Sequence, residues 1–303
     1  MNRELPNLTV HQLIYIREAA TAPTLAIAAE RLGVSQPALS QGLAEVERRL
    51  GSTLFDRRGR TRVPAAAFGA VVEVAKLVLA AVDDLDRHLA EIATGTRGAL
   101  RVGMIDTAAL GAFAEPLAVF RHQRPGVHTT LLVDGSIRLS EQVADGTLDL
   151  AIVVTPNAII DHDPDRFTAV ELTSEPLLIY PSTARLNVPL SELGPWVSFP
   201  AGSETRNLVT RALAARGVTM EVAAESSNPD VLRQMVLVGV GSCVLPQTVG
   251  RGGSSPLTPL ETKPLTSRPL SLIRRRNALP HAAADGLAAA LVSAAARTTN
   301  RRR

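Results

Sequence analysis

Cysteine is nearly missing from this chain: among 303 residues only Cys243 occurs. A single cysteine excludes an internal disulfide and a cysteine-rich zinc site. Its apolar setting, Val-Gly-Ser-Cys-Val-Leu-Pro, predicts a buried packing thiol rather than a reactive one. Lysine occurs only at Lys76 and Lys263, so almost all positive charge is arginine, and the net charge is only +3. That balance is weak evidence by itself for a nucleic-acid partner. No apolar run approaches membrane-spanning length, because charged residues, Pro or Gly interrupt each one. The start, Met1 to Leu13, has no uninterrupted apolar core behind a basic segment, so a cytoplasmic location is expected.

Enzyme signatures are also scarce. The six histidines are scattered without a His-Glu-x-x-His spacing, and no Gly-x-Gly-x-x-Gly follows the first strand of the α/β region, Gly239 and Gly241 lying far downstream. Asp161-His162-Asp163 has metal-ligating side chains but sits in a Pro-rich stretch that reads as a solvated loop, so no metal and no cofactor is expected. A Ser/His/Asp set would be spatial and is not legible in one dimension. No internal repeat is evident.

What is present is a soluble composition, 46% hydrophobic and 20% charged, over a length sufficient for two or three domains. The most informative stretch runs from Ser35 to Gly51. Ser35 is suited to cap a helix, Pro37 is tolerated in its first turn, and Gly51 suits its exit. Leu39, Leu43, Val46 and Leu50 fall on one stripe at 100° per residue, the pattern of a helix buried along one side. The opposite face carries Pro37, Ser40, Gln41, Ala44 and Arg48. It is short-chained and polar, so it fits a major groove, with Gln36, Ser40 and Gln41 for base edges and Arg48 for phosphate. Taken alone, it also fits an ordinary amphipathic surface helix.

The neighbours decide between these. A helix is predicted over Thr9 to Ala20, and a second, Leu25 to Leu32, is capped by Thr24 and ended by Gly33; with the segment after it this makes a helix-turn-helix. Beyond Gly51, Leu54/Phe55 and Val63 can anchor two strands around Gly59, with Arg57, Arg58, Arg60 and Arg62 at the tip, a wing for phosphates or the minor groove. From Phe68 to Ile92 an apolar heptad runs through Phe68, Ala75, Val82 and Leu89, and through Val71, Val78, Leu85 and Ile92, which predicts a helix pairing with another helix as a coiled coil, a core helix of a monomer being the alternative; pairing with its own copy would present two recognition helices as a dimer.

Thr94 to Gly98 is turn-rich, and strands alternate with helices after it, which indicates an α/β region with a largely parallel sheet. Strands are expected at Ala99–Ile105, Val127–Val133, Leu148–Val154, Ala169–Tyr180, Trp196–Phe199, Met220–Glu225, Cys243–Leu245 and Leu270–Arg274. Helices are expected from about Thr107, near Ile137–Ala144, at Glu204–Arg216, Asp230–Val238 and His281–Ala296, with a Pro-rich crossover at Thr155–Asp165, a mobile loop at Gly250–Pro256 and a disordered Arg301–Arg303 tail.

These N-terminal residues resemble the LysR-type transcriptional regulators. The resemblance is carried by Ala28-Ala-Glu-Arg-Leu32, Val34-Ser-Gln-Pro-Ala-Leu-Ser40, Val46-Glu47 with Leu50-Gly51, and Leu54-Phe-Asp-Arg57; Leu148-Asp-Leu-Ala-Ile152, Val238-Gly-Val-Gly241 and Leu245-Pro246 extend it. It implies an α+β multidomain chain: a winged helix-turn-helix over 1–65, a dimerisation helix over 66–94, and a two-lobed α/β effector domain like periplasmic solute-binding proteins. Lobe I would be 95–160 with 267–303, and lobe II 161–266. The implied function is sequence-specific binding of double-stranded DNA under the control of a small-molecule effector, as a homodimer assembling to a homotetramer, with RNA polymerase as a further partner. The different-class alternative is a small-molecule-binding or enzymatic α/β protein whose N-terminal helices only dimerise it.

Gly42 stands where the family carries a longer polar residue, so readout is expected to rest on Gln36, Pro37, Ser40 and Gln41, beside Thr24 and Ser35. In two-lobed α/β domains a ligand lies at strand ends and helix starts between the lobes. Thr107 is expected to cap its helix and, by resemblance, to bind a carboxylate of a small effector, while Asp106 beside it would favour a cationic or polyhydroxylated one. Gly135, Ser136 and Val154 sit at strand ends of the first lobe, and Ser198, Phe199, Gly202 and Ser203 precede a helix of the second, with Thr107, Ser198 and Ser203 as the main polar contacts.

Overall fold

The computed structural model describes residues 7–58, 61–94, 99–111, 113–183 and 188–301, in two compact units, residues 1–86 and 87–303. In the first unit, α1 (Val10–Thr21) starts in a capping box: the Thr9 hydroxyl accepts from Gln12 N–H and the Gln12 side chain from Thr9 N–H. Thr24 caps α2 (Leu25–Arg31). Ser35 caps α3 (Gln36–Leu50) by accepting from Ala38 N–H at 3.3 Å. Gly51 ends α3 at φ 63°, a left-handed conformation that costs other residues about 1 kcal/mol or more.

The stripe Leu39, Leu43 and Val46 is fully buried against Leu13 and Ile16 of α1, Ala28 and Ala29 of α2, and Leu54. Each such side chain contributes roughly 1.5–3 kcal/mol relative to exposure. Strands β1 (Phe55–Arg58) and β2 (Thr61–Pro64) pair antiparallel, Phe55 opposite Pro64 and Arg57 opposite Arg62. The Phe55 ring lies 4.6 Å from that of Phe68, which opens α4 (Phe68–Thr94).

The heptad of α4 divides into two halves. Phe68, Val72, Ala75 and Leu79 join the core of the first unit, whereas Val74, Leu77, Val78, Val82, Leu85 and Leu89 are exposed. Ile92 lies outside the described side chains.

The second unit is built on a six-stranded sheet of order β4-β3-β5-β10-β6-β9. Here β3 is Ala99–Met104, β4 His128–Val133, β5 Leu150–Val154, β6 Phe167–Tyr180, β9 Cys243–Pro246 and β10 Thr266–Arg275. Strands β3, β4 and β5 are parallel, and β10 runs antiparallel to β5 and to β6, so the expected parallel sheet is mixed beyond β5. The long strands β6 and β10 pair from Phe167 to Leu177 of β6, the end of β6 pairing with β9 instead, and carry the chain between two lobes. Their early and late portions serve different cores, one centred on Leu100, Ile152, Leu272 and Leu287, and two on Leu245, Val197 and Trp196.

The helices of the first lobe are α5 (Asp106–Leu110), α6 (Ala114–Gln123), α7 (Ser136–Ala144), α8 (Ala158–His162) and the C-terminal α12 (Ala282–Arg301). The second lobe adds β7 (Trp196–Ser198), β8 (Val222–Glu225), α9 (Glu204–Ala214), α10 (Pro229–Leu237) and α11 (Gln247–Arg251). Strands β7 and β8 are parallel, and a bridge from Trp196 to Ser242 joins them to the lead-in of β9.

Several expectations are corrected. The stretch 155–165 is not a plain loop, because Asn157 accepts from Ile159 and Ile160 N–H and caps α8. The loop expected from Gly250 begins as the end of α11, with Gly250 buried against the Tyr180 ring. The tail is helical to Arg301, and residues 302–303 lie outside the described set. The segment after Thr107 holds two helices rather than one. Cys243 is buried, and burial pushes its thiol far up, as its apolar flanks imply.

Candidate nucleic-acid interface and inter-lobe cavity

On α3, Gln36, Pro37, Gln41, Ala44 and Arg48 are exposed and Ser40 half-buried, so all lie off the packed face. Ser35 and Thr24 are exposed caps whose hydroxyls accept backbone N–H at 3.3 Å, so each fixes a helix start. Arg48 does not stand alone: its guanidinium donates to both oxygens of Glu45 at 2.5–2.8 Å, and Arg49 Nε donates to the same carboxylate at 2.6 Å. The two guanidiniums, Arg48 first, hold the Glu45 carboxyl below its usual value. Arg57, Arg58 and Arg62 occupy the two wing strands, and Arg60 lies outside the described residues.

Two features of this surface were not expected. Glu47 Oε1 accepts from Leu54 N–H at 2.7 Å and from Phe55 N–H at 3.0 Å, so a carboxylate of α3 fixes the start of the wing. Gly42 sits under the Tyr15 ring, where an added Cβ would lie 2.6 Å from Cδ2 and Cε2. It is therefore a close-approach point between α1 and α3, and its missing side chain is replaced in space by Tyr15, whose hydroxyl is 3.1 Å from His11 Nε2.

In the second unit a cavity of about 420 Å³ opens between the lobes. Asp106, Thr107, Gly135, Ser136, Val154, Phe199, Gly202 and Ser203 all line it; Ser198 does not, being buried in β7 with its carbonyl accepting from Ser226 N–H. The starts of α5, α7, α9 and α10 converge on the cavity, contributing Asp106, Ser136, Glu204 and Pro229. Ser203 caps α9 by accepting from Arg206 N–H at 3.3 Å. Ser136 Oγ accepts from Val154 N–H at 3.0 Å, tying α7 to the end of β5.

Thr107 does not cap its helix. Asp106 is already the first helical residue, and the cap position, Ile105, has no side chain able to accept a hydrogen bond. The Thr107 hydroxyl instead donates to Glu175 Oε2 at 3.1 Å and accepts from Arg268 at 2.8 Å. Arg268, on β10, is the buried centre of the floor, 3% exposed. Its Nε and one terminal nitrogen donate to Glu175 Oε2 at 2.9 and 2.7 Å, and the other terminal nitrogen to Thr205 Oγ1 of α9 at 2.8 Å. Its carbon centre lies 5.9 Å from the centre of the Phe199 ring. One guanidinium thus ties α5, α9 and β6 together.

Burial pushes the Asp106 carboxyl above its ordinary value; the Asp230 and Asp134 carboxylates add to this, and its own amide and Arg268 oppose it. Among the described residues no group of His, Cys, Asp and Glu could hold a metal, so Asp161, His162 and Asp163 do not converge on one. No described helix is long and apolar enough to cross a membrane.

Two family models match the chain. Residues 10–70 match the bacterial regulatory helix-turn-helix protein, lysR family, and residues 93–296 match the LysR substrate binding domain. The uncharacterized HTH-type transcriptional regulator YwbI of Bacillus subtilis is 30% identical over 251 residues, 81% of this chain and 82% of the relative. The HTH-type transcriptional activator CmpR of Synechocystis is 26% identical over 245 residues, covering 80% of each. In the crystal structure of CbnR, a LysR family transcriptional regulator, the fold is shared at a TM-score of 0.65 with 20% identity, over 95% of this chain and 99% of that one. Full-length CbnR complexed with its target DNA gives 0.62 with 21% identity, over 96% of this chain and 100% of that one.

Proposed function

The chain belongs to the LysR family of DNA-binding transcriptional regulators, and from that premise we propose how its parts divide the work. Residues 1–65 bind double-stranded DNA and 66–94 dimerise the chain. Residues 95–160 with 267–303 form lobe I and 161–266 lobe II, with a small-molecule effector between them. An enzyme with a helical dimerisation module is the weaker reading, since the relatives carry regulator names along both parts of the chain.

The observation that carries the DNA reading is the split character of α3, a fully buried Leu39-Leu43-Val46 stripe opposite an exposed polar face. Gln36, Pro37, Ser40 and Gln41 would read base edges in the major groove. Arg57, Arg58, Arg60 and Arg62 of the wing would supply phosphate and minor-groove contacts, and Arg48 would reach phosphate once it leaves Glu45. The exposed Val78, Val82, Leu85 and Leu89 of α4 would be covered by the same helix of a second copy, and a dimer of dimers would follow as the working assembly.

In the effector domain, Asp106, Thr107, Gly135, Ser136, Val154, Phe199, Gly202 and Ser203 would contact the effector. Ser198 would act only through the position it gives Phe199. An effector that binds one lobe arrangement better shifts the population toward it, and with it the geometry of the bound DNA and access for RNA polymerase. Such a regulator would work in the cytoplasm.

A gel-shift on the DNA immediately upstream of its own coding sequence, with salt and random competitor titrated, tests the reading. Specific binding at least about 10³-fold tighter than random duplex is expected. Equal binding of the two duplexes would refute it.

A further inference from the structure

The cavity between the lobes is the effector site proposed above, and the inference here rests on that reading. A helix start ordinarily favours a negative group, through its free N–H donors and its dipole. Around this cavity the chain supplies those negative groups itself. Asp106 opens α5, Glu204 opens α9 and Asp230 lies in the first turn of α10. Asp134 precedes the Gly135 cap of α7 and accepts from Gly135 N–H at 2.6 Å. An incoming carboxylate would meet a resident acid on the wall at three of these starts, while Asp230 lies off the wall and pairs with Arg233 at 3.6 Å.

The cations do not reverse this. Two guanidiniums line the cavity, Arg138 and Arg268, against three carboxylates, Asp106, Asp134 and Glu204. Arg268 is cancelled by Glu175 at 2.7 Å. Arg138 is exposed and lies 3.4 Å from Glu141. The Thr107 hydroxyl, the donor expected to hold an effector carboxylate, has its proton on Glu175. The uncompensated charge of the wall is therefore negative. Ile105, Ile137, Val154 and Phe199 give the wall an apolar portion, beside the hydroxyls of Ser136, Ser203, Thr205 and Ser227. About 420 Å³ is enough for a ligand of some ten to fifteen non-hydrogen atoms.

We propose that the effector is an organic cation, a protonated amine directed to Asp106 and Asp134 with an apolar or aromatic body against Phe199 and Val154. The raised Asp106 carboxyl fits this, since it is short of a cation and a bound ammonium would favour its charged form.

The test compares compounds with one skeleton and different heads: phenethylamine, phenethyl alcohol and hydrocinnamate. Each is added at millimolar concentration to the full chain, with thermal unfolding followed by the fluorescence of Trp196. The amine is expected to raise the midpoint most, and Asp106→Asn to weaken its apparent affinity about tenfold or more. A second readout needs no ligand. A cysteine introduced by Ile137→Cys is labelled with ethylammonium and with sulfonatoethyl methanethiosulfonate, the buried Cys243 giving little background. Relative to free cysteine, the cationic reagent should react about tenfold faster, and Asp106→Asn and Asp134→Asn should each narrow the ratio.

A sulfonate reagent as fast as the cationic one, or hydrocinnamate stabilising as much as the amine, or no stabilisation by the amine, overturns the proposal. The effector reading fails separately. A metabolite extract that changes the DNA footprint of the wild type but not of the cavity-filling Ile137→Trp upholds it whatever the labelling ratio shows.

Discussion

Replacing Arg268 with methionine removes a group that ties α5, α9 and β6 beneath the cavity, and the cost can be worked from its contacts. Arg268 gives up an ion pair with Glu175 at 2.7 Å and hydrogen bonds to Thr107 and Thr205 at 2.8 Å each. Its side chain is 4% exposed and that of Glu175 14%, so the carboxylate left behind has little water to replace the cation. Breaking a buried pair from one side costs about 3–5 kcal/mol. The lower end applies here, because Thr107 still donates to that carboxylate. For a unit of this size, residues 87–303, about 3 kcal/mol lowers the midpoint by roughly 6–12 °C.

Glu175→Gln keeps an acceptor for the guanidinium and should cost less, about 1–2 kcal/mol. The double variant Arg268→Met/Glu175→Gln should be less destabilised than the singles added together by about 2 kcal/mol, because no charge is then stranded. The assay is thermal or urea unfolding read by Trp196, the one tryptophan of the chain, buried in β7 and therefore a reporter of the second unit. Singles that each cost under about 1 kcal/mol and add without coupling would refute the role assigned to Arg268.

Three further outcomes are expected. Gly42→Gln should destabilise the first unit by about 1–3 kcal/mol through overpacking against Tyr15, and Tyr15→Ala should relieve most of that loss in urea melts of the isolated variants. Glu47→Ala removes two hydrogen bonds that hold the wing start, so it should cost about 1–2 kcal/mol and lower affinity for specific and random duplex alike; a loss confined to the specific duplex would contradict it. Val78→Glu with Leu85→Glu alters only exposed side chains. Light scattering should then show a well-folded chain that no longer dimerises, and an unchanged dimer would show that α4 is not the seam.

How much could be read in advance depended on how local the cause was. The helix α3 was legible because its start, its stop and its buried stripe are all written within Ser35 to Gly51. The alternation of strands and helices in the second unit was legible in the same way, as were eight of the nineteen residues that line the cavity, since strand ends and helix starts are local features. Arg268 was not legible. Its partner Thr107 is 161 positions away, and placing the strand start at Leu270 left Arg268 outside it. The signal was present in the alternation, because Arg268, Leu270 and Leu272 are all buried on β10, and an arginine in an inward register needs a buried acid. The role of Gly42 could not be inferred from α3 alone, since the group filling its space comes from α1. The helix α11 is five residues long, too short for periodicity to announce it.

The central claim is that the outward face of α3 reads sequence while the wing arginines hold phosphate. It is tested most directly by the ratio of specific to random duplex affinity, measured across a salt series for the wild type, for Gln36→Ala/Ser40→Ala and for Arg58→Ala. The α3 variant should lower that ratio at least tenfold with an unchanged salt slope, about 1–3 kcal/mol for each lost base contact. Arg58→Ala should weaken binding of both duplexes about equally and reduce the slope by about one. An unchanged ratio in the α3 variant, or a ratio lost through Arg58→Ala alone, would contradict it.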